Sequence, residues 1–220
     1  MSPVAFGLLM SSRLSAYPGA ERFLPDRISL PALREAARKC RGCPLYRDAT
    51  QTVFGSGRRS AHLMLVGEQP GDEEDKAGLP FVGPAGRVLD EALEAAGIDR
   101  LDVYITNVVK HFKHLIKGWR RWHKKPNKRD IDACRAWIEK EIEVVQPQVL
   151  VCLGATAAQA LLGPSVRVTV DHGCDLPTPL AAHALVTIHP SAVLRQPTDE
   201  ERRRALRTLT ADLKRAAELV

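Results

Sequence analysis

Residues 63–86 read LMLVGEQPGDEEDKAGLPFVGPAG, and the rest of the chain is arranged around them. Leu63 to Val66 is an unbroken apolar run, the pattern of a short buried strand. It leads straight into Gly67-Glu68-Gln69-Pro70-Gly71-Asp72, where two glycines and a proline cannot continue a strand and make a tight loop. The loop carries Glu68, Gln69 and Asp72 just beyond the strand's carboxyl end. Open α/β sheets place their ligand chemistry there. An acidic surface turn would contain the same residue types, so the neighbouring segments have to decide.

Upstream, Ser29-Leu30-Pro31 predicts a short helix with Ser29 as N-cap and Pro31 in its first turn. It ends at Cys40-Arg41-Gly42-Cys43-Pro44. A Cys-x-x-Cys pair at a helix end can clamp a metal or a cluster, form a redox dithiol, or be two incidental thiols. Residues 1–28 show no period and are rich in Pro, Gly, Ser and Arg. They read as a loosely held extension, leaving 29–220 as a single domain.

Downstream, Pro84 to Ala96 predicts a helix stopped by Gly97, and Val103 to Thr106 a second strand ending on Asn107. Asp130 to Val145 is helical in period, Val149 to Leu153 is a third strand, and a short Ala-rich helix runs from Gly154 to Gly163. Val166 to Val170, with the turn around Gly173, suggests a hairpin or an edge excursion. Leu185 to Ile188 is a further strand ending on His189-Pro190, and Thr198-Asp199-Glu200-Glu201 is a capping box that opens the last helix. Strands alternating with helices imply an α/β fold, a mostly parallel sheet covered on both faces in three αβα layers. Glu68, Gln69, Asp72, Asn107 and His189 then all emerge at one edge of that sheet and predict one pocket.

Composition narrows the function classes. The chain has 220 residues, 45% of them hydrophobic, and a formal net charge of +6. No apolar run approaches the roughly 18 residues of a membrane span, and no basic stretch precedes the apolar patch near the N-terminus, so neither membrane association nor a signal peptide is expected. Five cysteines fit a reducing, cytoplasmic setting better than a disulfide framework. A monomer is expected. The positive charge concentrates between Lys110 and Arg129, which holds nine Lys or Arg and no acid, with Phe112, Trp119, Trp122, His111, His114 and His123 interleaved. Basic charge tracks phosphates and aromatic faces stack on bases, so this segment predicts nucleic-acid binding. The alternative is a solvated basic loop whose tryptophans pack on the body.

Together these residues resemble the uracil-DNA glycosylase superfamily in its iron–sulfur, family 4-like branch. Gly67-Glu68-Gln69-Pro70-Gly71 resembles that branch's first motif and His189-Pro190-Ser191 its last. Family 4 enzymes carry a cluster cysteine where this chain has His111, in Thr106-Asn107-Val108-Val109-Lys110-His111. That departure, Gln69, and the inserted Arg120-Arg121-Trp122-His123-Lys124 resemble the UdgX subfamily, whose members bond covalently to the DNA from which they have removed uracil. Trp122 stands where an aliphatic residue is usual, and the segment from His111 to His123 is slightly short.

The resemblance implies a uracil-DNA glycosylase-like fold and activity on uracil-containing DNA, single- or double-stranded. It implies a [4Fe–4S] cluster on Cys40, Cys43, His111 and Cys134, with Cys152 left to the core and Cys174 incidental. Glu68, His189 and His123 are the implied catalytic residues, with His123 the covalent attachment point. Gln69, Asp72, Phe81, Asn107 and His189 would contact uracil, and Arg120, Arg121, Lys124, Lys125 and Ser191 the DNA. A multiple-turnover glycosylase and a non-catalytic binder of uracil-DNA remain the alternatives.

Overall fold

The computed structural model describes residues 17–220. In chain order the elements are α1 (Leu30–Ala37), β1 (Leu63–Gly67), α2 (Asp72–Ala77), α3 (Pro84–Ala96), β2 (Val103–Asn107), β3 (His114–Lys117), β4 (Arg120–His123) and α4 (Lys128–Val145). After these come β5 (Val149–Leu153), α5 (Ala155–Leu162), α6 (Val168–Asp171), β6 (His183–Thr187), α7 (Pro190–Leu194) and α8 (Asp199–Ala217).

Four strands form one parallel sheet in the order β2-β1-β5-β6. Side-chain alternation sends Met64, Val66, Tyr104, Leu150, Cys152 and Val186 to one face, where α1, α4 and α5 cover them. Leu63, Leu65, Ile105, Val151, Leu153 and Leu185 point to the other, under α3, α7 and α8. Both faces are therefore buried, which is why the strands read as unbroken apolar runs. The result is the three-layer α/β fold expected from the sequence.

Strand order reverses between β1 and β5. The chain leaves β1 toward β2 on one side and returns through β5 toward β6 on the other. At such a switch point the loops after adjacent strands diverge and leave a crevice at the strands' carboxyl ends.

Several local expectations hold. Ser29 caps α1 by accepting from the Ala32 N–H, Gly97 closes α3 at φ 76°, and Thr198 and Glu201 form the reciprocal capping box of α8. Others need correction. α4 starts earlier than Asp130, because Asn127 and Asp130 form their own capping box. Residues 166–173 contain one helical turn rather than a hairpin, after which His172 and Asp175 bridge to β6, so an edge excursion is what remains. The last strand is His183–Thr187, which leaves His189 two residues beyond it as the N-cap of α7.

The basic segment after β2 contains an antiparallel hairpin with a two-residue connection, Gly118-Trp119, and Gly118 at φ 62°. Of the loosely held extension assigned to 1–28, positions 1–16 lie outside the described residues. Residues 17–28 are docked: Ala20 is buried, the 3-10 turn Ala20–Phe23 packs on α4, and the Gly19 N–H donates to Gly42 O at 3.0 Å.

Candidate active site

A cleft of about 550 Å³ opens at the switch point. Its floor is built where β1 and β2 end side by side, with Gly67 paired to Asn107. A Cβ on Gly67 would collide with Asn107 Oδ1 and lie 2.6 Å from Phe81 Cζ, so only glycine lets these two side chains converge. Asn107 is 2% exposed, and its Oδ1 is buried without a hydrogen-bond partner. Leaving such an acceptor unpaired costs about 1–3 kcal/mol, a cost that suits a site awaiting a donor.

The Asn107 backbone is held from below. The Lys110 ammonium, fully buried, donates to Asn107 O at 2.7 Å and to Thr106 Oγ1 at 2.7 Å, and pairs with Glu141. Glu141 also accepts from the Tyr104 hydroxyl at 2.8 Å and the Gly55 N–H at 3.0 Å. Phe81 forms a wall from a left-handed conformation, φ 55°. Its carbonyl accepts from Arg100 at 3.0 Å, and Gly86 leaves room for it.

His189 stands opposite, its ring 5.8 Å from that of Phe81. The Ser191 N–H donates to its Nδ1 at 3.1 Å, and the Ser191 hydroxyl lies 2.7 Å from the same nitrogen while accepting from Arg195 at 2.8 Å. Nδ1 is thus an acceptor, which puts the ring proton on Nε2. Desolvation pushes the His189 pKa down to about 4, against the nearby Glu68 charge, so the ring is neutral near pH 7. Burial acts to raise the Glu68 carboxyl, but hydrogen bonds from His123 and Thr156 outweigh it and hold Glu68 below its usual range. Glu68 Oε2 accepts from the Thr156 hydroxyl, and Oε1 lies 3.3 Å from His123 Nε2.

The hairpin carries His123 to that position. In its register Arg121 and His123 share one face and Trp122 the other. Trp122 therefore points away from the cleft, and the departure there leaves His123 unobstructed. Gln69 fixes the base of the hairpin: its amide donates to Lys113 O at 3.1 Å and Lys124 O at 3.2 Å, and its carbonyl accepts from the Lys113 N–H at 3.2 Å. Gln69 lines the cleft, but its side chain is occupied in holding strands.

Two assignments need correction. Asp72 lies outside the cleft, bound to Arg121 Nε at 2.6 Å and to Lys76. Burial acts to raise Asp72, and the bonds from Lys76 and Arg121 more than reverse it. Arg121 in turn bonds Asp75 at 2.6 Å and lies over the Phe112 ring, so it is a hairpin strut and not an open phosphate contact. Arg120, Lys124 and Lys125 remain exposed, and Lys125 and Ser191 reach the cleft mouth.

Thr156, Gly154 and Glu74 also line the cleft and were missed. Thr156 follows β5 much as Glu68 follows β1, so the same strand-end rule would have found it. Glu74 ties two loops by accepting from the Gly71 N–H at 3.0 Å and the Gly83 N–H at 2.7 Å, which only the fold reveals.

Cys40, Cys43 and Cys134 are all buried. Burial pushes the Cys43 thiol up to about 11, and Cys134 is raised for the same reason. Cys134 Sγ accepts from the Lys110 N–H at 3.3 Å and Cys40 Sγ from the Trp137 indole at 3.3 Å. Burial likewise pushes His111 down to about 4. Its Nε2 lies 3.0 Å from Thr52 Oγ1, whose hydroxyl donates to Ala37 O, so Nε2 carries the proton and Nδ1 keeps its lone pair. Three thiols and a neutral imidazole with N–H donors already aimed at sulfur suit a sulfur-rich centre. Among the described residues no three such side chains converge on a point that could hold a single ion. Cys152 is buried in β5, the core position expected of it, and Cys174 is exposed.

Residues 54–214 match the uracil DNA glycosylase superfamily, and the chain belongs to that superfamily. Within it the chain is similar to the type-4 uracil-DNA glycosylase of Thermotoga maritima, 39% identical over 170 residues that cover 77% of this chain and 85% of that one. It is also similar to that of Pyrobaculum aerophilum, 35% identical over 178 residues, covering 77% and 87%. The type-4 enzyme of Archaeoglobus fulgidus is 39% identical over 136 residues, covering 60% of this chain and 62% of that one.

Proposed function

We propose that the protein excises uracil from DNA and then joins covalently to the exposed sugar through His123. The observation that carries the uracil reading is the buried, unpartnered Oδ1 of Asn107 at the cleft floor. Uracil offers N3–H as donor beside O4 as acceptor, and cytosine the reverse. An asparagine amide pairs with the first and sets like groups against the second. Phe81 supplies the flat wall against which the base lies, and the base reaches it flipped out of the stack or already unpaired.

When the glycosidic bond breaks, its electron pair leaves with the base and charge builds on uracil O2. Nε2–H of neutral His189 donates a hydrogen bond to that oxygen, and ionised Glu68 faces the cationic sugar. One nitrogen of His123 then attacks C1′, forming a C–N bond, and the ring proton passes to Glu68. Asp72 and Arg121, by contrast, hold the hairpin. Cys40, Cys43, His111 and Cys134 would hold a [4Fe–4S] cluster, which would cross-link the end of α1, the segment after β2 and α4. Likeness to type-4 glycosylases equally supports an enzyme that gives C1′ to water and turns over. What favours the adduct is His123 lying 3.3 Å from Glu68.

The test is incubation with a uracil-containing oligonucleotide, measuring free uracil and running a denaturing gel. We expect one uracil released per chain and a band that survives heat and detergent, with the DNA mapped to His123 by mass spectrometry. His123→Ser should release uracil without crosslinking. Asn107→Ala should slow release by roughly 100-fold or more while keeping salt-sensitive DNA binding. Many turnovers without an adduct would overturn the covalent step alone, and no uracil release from wild type would sink the whole reading.

A further inference from the structure

The β3–β4 hairpin has a second face that the cleft chemistry does not use. Leu115 and Trp122, paired in register on that face, are 45% and 52% exposed, and Trp119 at the connection is 84% exposed, three bare apolar side chains within eight residues. They are not core: the hairpin forms a sheet of its own, and α2 is held to it through Arg121. Arg120 lies 4.4 Å over one face of the Trp119 ring. A shallow cleft of about 500 Å³ runs between Trp119, Trp122 and the Asp72–Lys76 side of α2.

Charge selects the occupant. Of the Lys and Arg between 110 and 129, Lys110, Lys113, Arg121 and Lys128 are paired with carboxylates. Among the described residues Lys117, Arg120, Lys124, Lys125 and Arg129 have no carboxylate partner; Lys117 and Arg120 flank Trp119 in sequence, and Lys124 and Lys125 follow Trp122 and His123 toward the cleft. A ligand that is anionic along its length and flat and apolar at intervals satisfies both features. A nucleic-acid strand with open base faces is such a ligand. An apolar peptide or a second copy of this basic chain would leave the cations facing one another.

We propose that this outer face is a stacking platform for unpaired bases flanking the uracil, so that the substrate is single-stranded along the hairpin. The proposal rests on the uracil-DNA reading above. Continuity supports it: the far end of β4 delivers His123 to the cleft, and Trp119 lies four residues away, about 13 Å at about 3.3 Å per residue. A strand leaving the cleft along the hairpin meets Lys125 and Lys124 first and the indoles next. In a duplex those base faces are already stacked on one another and are not free to meet the indoles.

The chain's own tryptophans report the contact. Of its three, Trp137 is fully buried, while Trp119 and Trp122 carry the proposed stacking. The intact protein is titrated with an end-labelled oligothymidine, following both label anisotropy and tryptophan emission. A thymine strand contains no uracil, so the result is readable whether or not uracil release occurs, and release is assayed separately. Binding should quench emission by half or more. Trp119→Ala, and Trp119→Ala with Trp122→Ala, should weaken single-strand affinity by about 10-fold or more. With a uracil strand the same variants should raise the half-saturating concentration and leave the release rate at saturation unchanged, which also shows that they fold. Binding without quenching, wild-type affinity in the double variant, or equal quenching by a blunt duplex would each overturn the proposal.

Discussion

Lys110 and Lys125 belong to one basic run and have opposite environments. Lys110 is fully buried, paired with Glu141 and bonded to the carbonyl of Asn107 at the cleft floor. Lys125 is exposed at the cleft mouth with no carboxylate beside it. Lys113 and Arg121, between them, are tied to Asp130 and to Asp72 and Asp75. The run is therefore two devices: an inner one that fixes the floor of the site and an outer one left open to solvent. Desolvation makes the difference. A buried charge has to be paired, and its partner then dictates geometry, whereas a solvated charge is free to meet a ligand.

The sharpest way to break this comparison is Lys110→Met. It strands Glu141 in the core, and we expect a loss of roughly 3–5 kcal/mol in chemical denaturation together with loss of uracil release. Adding Glu141→Gln should restore much of the stability without the release, because the bond to the Asn107 carbonyl is still missing. Full activity in the double variant would show that the inner lysine only balances charge.

Acid should strain the interior next. His189 titrates at about 4 in the fold against 6.5 ordinarily, so between those values the unfolded chain binds the extra proton. Stability should therefore fall as pH drops from about 6.5 to about 4 and level off below, and thermal melts at a series of pH values should show that slope. A His189→Gln variant should lose this part of the slope.

Arg121→Ala probes the border between the two devices. It leaves Asp75, which is 0% exposed, with only the backbone N–H groups of Thr50 and Gln51, and it frees the hairpin. A loss of about 1–3 kcal/mol is expected, with crosslinking slowed more than uracil release because His123 rides on the hairpin. Equal slowing of both steps would separate His123 placement from the Arg121 contacts.

The smallest effect on the fold should come from Lys125→Glu. Stability should stay within about 0.5 kcal/mol of wild type, while DNA affinity falls and its salt slope flattens by about one unit or more. An unchanged slope would remove Lys125 from the outer device.

By itself the sequence determined the layered parallel sheet, since short apolar runs such as Leu63–Val66 and Val149–Leu153, each stopped by glycine, alternate with segments of helical period. It also determined which strand ends carry Glu68, Asn107 and His189, because polar residues at those ends emerge at one edge whatever the loops do. Local chemistry such as the Thr198 capping box was equally legible. The partners of charges were not: Asp72 looked like a pocket acid and Arg121 like a phosphate contact until the fold brought them within 2.6 Å. Nor was the role of Gln69, whose bonds to Lys113 and Lys124 need the hairpin closed first. Periodicity and caps depend on neighbours in sequence, which the chain states outright. Pairing and desolvation depend on which distant residues share a volume, and only the packed structure decides that.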